Sequence, residues 1–167
     1  MVKHKSLAPE LWAVAHKVSE KLTADGIDHV VIGGMAVGAL GYERMTTDVD
    51  FLIREEDLGK LTGRPLAIGL SERVDGVRVD YIPIEEGETH LDVAVSDKGL
   101  VIAPPALVYL KLKAGRRKDQ ADVIELVKRG RLDLHAVRRY LYNLPFDPED
   151  MIADFDALVI QADREGD

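Results

Sequence analysis

Cysteine is absent from all 167 residues, which excludes a disulfide framework, a thiolate metal site and a cysteine nucleophile. Its absence fits a cytoplasmic protein, since bridges are rare where thiols stay reduced. A long apolar run is missing as well: no segment approaches the roughly 18 consecutive apolar residues of a membrane span. The amino-terminal stretch MVKHKSLAPELWAVAHKV carries basic residues but neither a continuous apolar core nor a small-residue cleavage site, so secretion and membrane insertion are not expected. Positive charge is in deficit, with 22 Lys and Arg against 30 Asp and Glu and a formal net charge of -8. That balance argues against sequence-independent binding along duplex DNA or RNA, which needs many cationic contacts to phosphates, while leaving room for a local basic pocket. What remains is ordinary globular composition, 46% hydrophobic and 31% charged. It is enough for one well-buried core and short for two, so a single domain over 1–167 is expected.

The stretch HVVIGGMAVGALGYERMTTDVDFLI, His29 to Ile53, is the most informative. Residues 28 to 32 read as a buried strand running into Gly33-Gly34, and Met35 to Leu40 read as a short helix. Alone, Gly-Gly is most simply a tight strand-to-helix turn. It also lets another group approach the main chain, and a helix start with exposed amides attracts anions. Further on, Asp48 and Asp50 alternate with Val49, Phe51 and Ile53, so a strand there puts both carboxylates on one face and the apolar set on the other. Paired carboxylates repel unless solvated or neutralised, and Mg²⁺, a hard ion that takes oxygen ligands, neutralises them.

Around this stretch the chain reads as helices and short strands. Leu7, Leu11, Ala15, Val18 and Leu22 form the stripe of a first helix, with Ser6 as cap, Pro9 in its first turn and Gly26 as stop. A short helix is expected over 55 to 61, strands over Leu66 to Leu70 and Arg73 to Ile84 about a Val-Asp-Gly-Val turn at 74 to 77, and further short strands within Val93 to Ile102 near Lys98-Gly99. Val77, Val79 and Tyr81 alternate with Arg78, Asp80 and Ile82, which places Asp80 on a polar strand face. Asp92, flanked by Leu91 and Val93, is a second acid of that kind. Pro104-Pro105 opens a helix over Ala106 to Ala114. In the following LKLKAGRRKDQADVIELVKRG, five basic residues (Lys111, Lys113, Arg116, Arg117 and Lys118) crowd together, with Asp119 and Asp122 three apart on a helix. A solvated helix face with ordinary ion pairs, such as Lys118 to Asp122, accounts for this run as simply as an anion patch does. Gly130 ends that helix, Asp133 caps the next with a stripe of Leu134, Val137 and Leu141, and Asp147-Pro148 opens the last with Ile152, Phe155, Val159 and Ala162.

Taken together, Gly33-Gly34, a short helix, Arg44, Thr46 and then Asp48-x-Asp50 on an apolar strand resemble the nucleotidyltransferase superfamily. GGMAVGALGYERMTTDVDFLI is similar to the small prokaryotic branch that includes the AbiEii-type toxin nucleotidyltransferases and related uncharacterised domains. The Pro-x-x-Leu, Lys-Leu-x-Ala, Arg and Lys-Asp-x-x-Asp pattern downstream resembles the second half of these domains. The resemblance covers roughly residues 28–130. It implies an α+β fold, a short mixed sheet flanked by helices and extended by C-terminal helices over 131–167. It further implies transfer of a nucleotidyl group from an NTP substrate to a hydroxyl or phosphate acceptor. Asp48 and Asp50 would hold two Mg²⁺ ions, and a third carboxylate on a neighbouring strand, best matched by Asp80, would complete the cluster. The Gly33-Gly34 amides, Arg44, Thr46 or Thr47, Lys111 and one of Arg116 or Arg117 would bind nucleotide phosphates, with Asp119 and Asp122 ordering the basic residues or contributing to the site. The acceptor, whether tRNA, protein or small molecule, is not specified. The chain is shorter than most toxin-type enzymes, so acceptor binding would be reduced or supplied by a partner. The alternative is a non-catalytic nucleotide-binding or interaction module of the same fold, for instance beside an antitoxin-like protein partner.

Overall fold

The computed structural model describes residues 8–61, 70–97, 99–146 and 148–166. The expected roles of Ser6, Leu7, Lys98 and Asp147, and of residues 66–69 as a strand start, lie outside these. The architecture is α+β, with a mixed four-stranded sheet, flanking helices and a C-terminal helix. Among the described residues no helix is long and apolar enough to cross a membrane. The chain forms two compact units. One comprises the residues up to Met35 and Arg44–Val101, and the other comprises Ala36–Glu43 and the residues from Ile102 onward.

The first unit is built on the sheet. Helix α1 (Ala8–Ala24) precedes β1 (His29–Ile32), and helix α2 (Gly33–Ala39), of which residues 36–39 belong to the other unit, follows it directly in sequence. Next come β2 (Asp48–Ile53), a 3₁₀ turn at Glu55–Lys60, and the hairpin of β3 (Leu70–Val74) and β4 (Val77–Pro83). The strand order is β1-β2-β4-β3. Strand β2 runs antiparallel to β1 and parallel to β4, while β3 and β4 are antiparallel. Asp75 and Gly76, with φ of 50° and 79°, make the two-residue turn in which both central positions need positive φ, which suits a tight hairpin.

Period-2 patterning decides which sheet face is covered. Val49, Phe51, Ile53, Val79 and Tyr81 lie in one buried cluster with Leu11, Val14, Ala15, Val18 and Leu22 of α1. Burying such an aliphatic or aromatic side chain stabilises by about 1.5–3 kcal/mol. This apolar face therefore anchors α1 and turns the alternate positions, Asp48, Asp50, Arg78 and Asp80, the other way.

The expected strands after Val93 are replaced by helix α3 (Leu91–Ser96). Leu91, Ala94 and Val95 are buried at helical spacing, whereas Val93 is 71% exposed, so the Leu-Asp-Val alternation belongs to a helix read over too short a window. The only extended contact nearby, among the described residues, is a single bridge between Val31 and Val101.

The second unit is helical: α4 (Pro104–Ala114), α5 (Arg117–Lys128), α6 (Leu134–Tyr142) and α7 (Pro148–Glu165). Helix α4 packs against α5, α6 and α7 and buries Ala106, Leu107, Val108, Tyr109 and Lys111, the all-round burial of a central helix. Asp133 caps α6 by accepting from the Ala136 N–H.

Candidate active site

The parallel pairing of β2 with β4 sets Asp50 opposite Asp80 and Asp48 opposite Arg78. Paired residues of parallel neighbours point to the same face, with strands about 4.8 Å apart and i, i+2 positions about 6.6 Å apart. The three acids nominated from sequence thus share one face of two adjacent strands. Asp92, the other candidate, sits on α3 and accepts from Arg54 Nε at 3.2 Å. Arg54 also bonds Asp28 at 2.6 Å and Ser96 Oγ at 2.7 Å. Its hydrogen bond to Asp28, with the charges of Asp28, Asp92 and Asp57, outweighs burial and raises the guanidinium above its ordinary range. Arg54 therefore ties the end of β2 to α3, and Asp92 belongs to that tie.

The glycine turn lies directly against Asp50. Gly33 has φ of 71°, and a Cβ there would collide with the Asp50 carboxylate. A Cβ on Gly34 would stand 2.9 Å from Thr46 Oγ1 and 3.1 Å from Arg44 Nη1. The two glycines, Asp50, Thr46 and Arg44 are thus one packed group, and absent side chains are the condition of their approach. Thr47 Oγ1 donates to Asp48 Oδ1 at 3.2 Å, and Arg44 Nη1 donates to the Met45 carbonyl at 3.3 Å.

One residue was not nominated from sequence. Arg78 Nε donates to Asp80 Oδ1 at 2.9 Å. This hydrogen bond, with the charges of Asp80, Asp48 and Asp50, holds the guanidinium above its ordinary range. The signal available was its position two residues before Asp80, on the same strand face. What the sequence lacks is the register that puts it opposite Asp48.

Three carboxylates on one strand-pair face are hard oxygen donors of the kind Mg²⁺ takes, so the donor chemistry fits. As the side chains stand, no group of three or more His, Asp or Glu converges closely enough to hold a metal ion among the described residues.

Lys111, Arg116 and Arg117 lie in the second unit. Lys111 Nζ donates to Asp119 at 3.1 Å and pairs with Asp122 at 2.9 Å, with all three residues buried. Asp119 also accepts from Arg116 Nε at 2.6 Å, Arg116 Nη2 at 3.2 Å and the Arg116 N–H at 3.3 Å. Burial alone would push the Asp119 carboxyl up, but the hydrogen bonds and charges of Arg116 and Lys111 prevail and hold it below its ordinary value. Asp119 and Asp122 thus order Lys111 and Arg116 locally, linking α4 to the start of α5. Arg117 is exposed at that helix start. A cleft of about 300 Å³ borders this cluster, lined in part by Lys111, Gly115, Asp119, Gln120 and Asp154.

Compared with known proteins, the chain matches no family model and no curated sequence.

Proposed function

We propose that this protein is a metal-dependent nucleotidyltransferase, moving an NMP group from an NTP to a hydroxyl or phosphate acceptor. The observation that carries the reading is the pairing of Asp50 with Asp80 across parallel strands, beside a glycine turn that leaves no room for a side chain between itself and Asp50. Asp48, Asp50 and Asp80 are the residues that would hold Mg²⁺. When bound there, the ion supplies charge neutralisation for the triphosphate and a more acidic acceptor hydroxyl. The chain's own contribution is positioning. Arg44 and Thr46 flank the glycine turn and would orient phosphate oxygens, a charge-assisted interaction for the guanidinium. Thr47, bonded to Asp48, would orient that carboxylate. The apolar face beneath packs β2 and β4 into one buried cluster, which supports a site that must place reacting atoms.

Calorimetry with each NTP, with and without Mg²⁺, tests the binding half. Wild-type protein is expected to bind one or more NTPs in a Mg²⁺-dependent way, and the Asp48→Ala, Asp50→Ala double variant is not. Binding undiminished in that variant, or none in the wild type, would sink the reading. Transfer is tested by mass spectrometry of cell extract incubated with protein, Mg²⁺ and labelled NTP, which names the acceptor. Binding without transferred mass would favour a nucleotide-binding module instead.

A further inference from the structure

On the acid face of β2 and β4 the facing positions are Asp48 with Arg78 and Asp50 with Asp80. Arg78 is the basic residue among these four positions. Arg78 sits on a strand between two neighbours, and the residue opposite it on β3 is Arg73. Like charges directly across a strand pair repel, which favours turning the Arg78 side chain along its own strand to Asp80, where Nε bonds Oδ1 at 2.9 Å. The two ends of this pair are unequal. The Asp80 side chain is 21% exposed and the Arg78 side chain 54%, so the carboxylate is the more enclosed partner and the guanidinium is on a long, solvated arm. An ion pair of that exposure is weak and readily exchanged.

We infer that Arg78 is an internal cation that exchanges with the metal: it holds Asp80 while the site is empty of nucleotide, and passes to a phosphate oxygen when a metal–triphosphate complex enters. This rests on the metal–nucleotide reading above and deepens it. A metal arriving alone has to displace the guanidinium from Asp80 Oδ1 and leave it beside a second cation. A metal arriving with a triphosphate brings anionic oxygens that match the guanidinium's planar fork, so release from Asp80 is compensated. Linkage then makes metal and nucleotide each strengthen the binding of the other, and Arg78 is the positioning residue through which they do so.

Two measurements on the full chain test this. Mn²⁺ titration without nucleotide, followed by electron paramagnetic resonance, is expected to show weak binding by the wild type. In Arg78→Met, binding should be tighter by about threefold, the worth of an exposed pair. In the wild type, the arginine Nε–H resonance that disappears in Arg78→Met should shift when Mg²⁺ and a non-hydrolysable NTP analogue are added together, at a Mg²⁺ concentration too low to occupy the site alone and at which Mg²⁺ by itself leaves the resonance in place. Unchanged or weaker Mn²⁺ binding in Arg78→Met overturns the exchange, as does an Nε–H resonance that stays put while other signals report the bound complex. Those results leave the nucleotidyltransferase reading intact if binding is still abolished by Asp50→Asn. Absence of any Asp50-dependent binding of the complex removes both.

Discussion

Residue 33 shows how closely a single position is constrained. Its φ of 71° strains any L side chain, at about 1–3 kcal/mol, and the Asp50 carboxylate fills the space a Cβ would take. Gly33→Ala is therefore expected to destabilise the protein by at least about 1–3 kcal/mol, read as a lower urea midpoint, and to weaken Mg²⁺-dependent NTP binding with it. The acids are separable by a different comparison. Asp50→Asn and Asp80→Asn should each lose Mg²⁺-dependent NTP binding in calorimetry, whereas Asp92→Asn, in the Arg54 tie, should keep it. Equal losses at all three positions would contradict the assignment of Asp80 over Asp92. Asp48 and Asp50 were legible because a two-residue period is a local signal. The placement of Asp80 opposite Asp50 was not derivable in that way, since register between strands distant in sequence is set by packing. Arg78 was missed for the same reason.

At the scale of elements, the longer helices could be read from caps, prolines and apolar stripes, and β4 with its Asp75-Gly76 turn from alternation and turn residues, whereas Ser71 and Glu72 of β3 and helix α3 could not. Six residues of helix give less than two full turns, too few for a 3.6 period to declare itself against an alternation. Substitution separates the periods: Val95→Asp places charge where α3 is buried and Val93→Asp where it is exposed. Only the first should lower the melting temperature appreciably. A strand would have put Val93 and Val95 on one face and made the two substitutions alike. The basic run at 111–118 divides similarly. Lys111 lies inside a central helix while Lys113 is exposed, a difference that a count of basic residues does not reveal. Lys111→Met leaves Asp119 and Asp122 buried without their shared cation. It is expected to cost about 3–5 kcal/mol in urea unfolding, against little for Lys113→Met.

For the molecule as a whole, the acidic composition makes the response to pH a question of which carboxylates depend on being ionised. Asp119 is held below its ordinary value in the folded state. Its contribution is therefore present above the unfolded value of about 3.9 and is lost as pH falls through the folded value. The urea midpoint should drop between pH 5 and pH 3. Asp119→Asn, less stable at neutral pH, should lose less over that interval. The α+β class and the covered face of the sheet were legible from alternation and helical stripes together, because both patterns belong to the same core. The division into two compact units was not, since it depends on which helices find each other. Finally, Gly33 and Asp50 compete for one volume, which has a consequence for selection. In a population carrying Gly33→Ala, replacements that shorten residue 50 relieve the collision and are expected as suppressors of instability. Each of them deletes a carboxylate, so the variants recovered for abundance and those recovered for activity should not overlap at position 50.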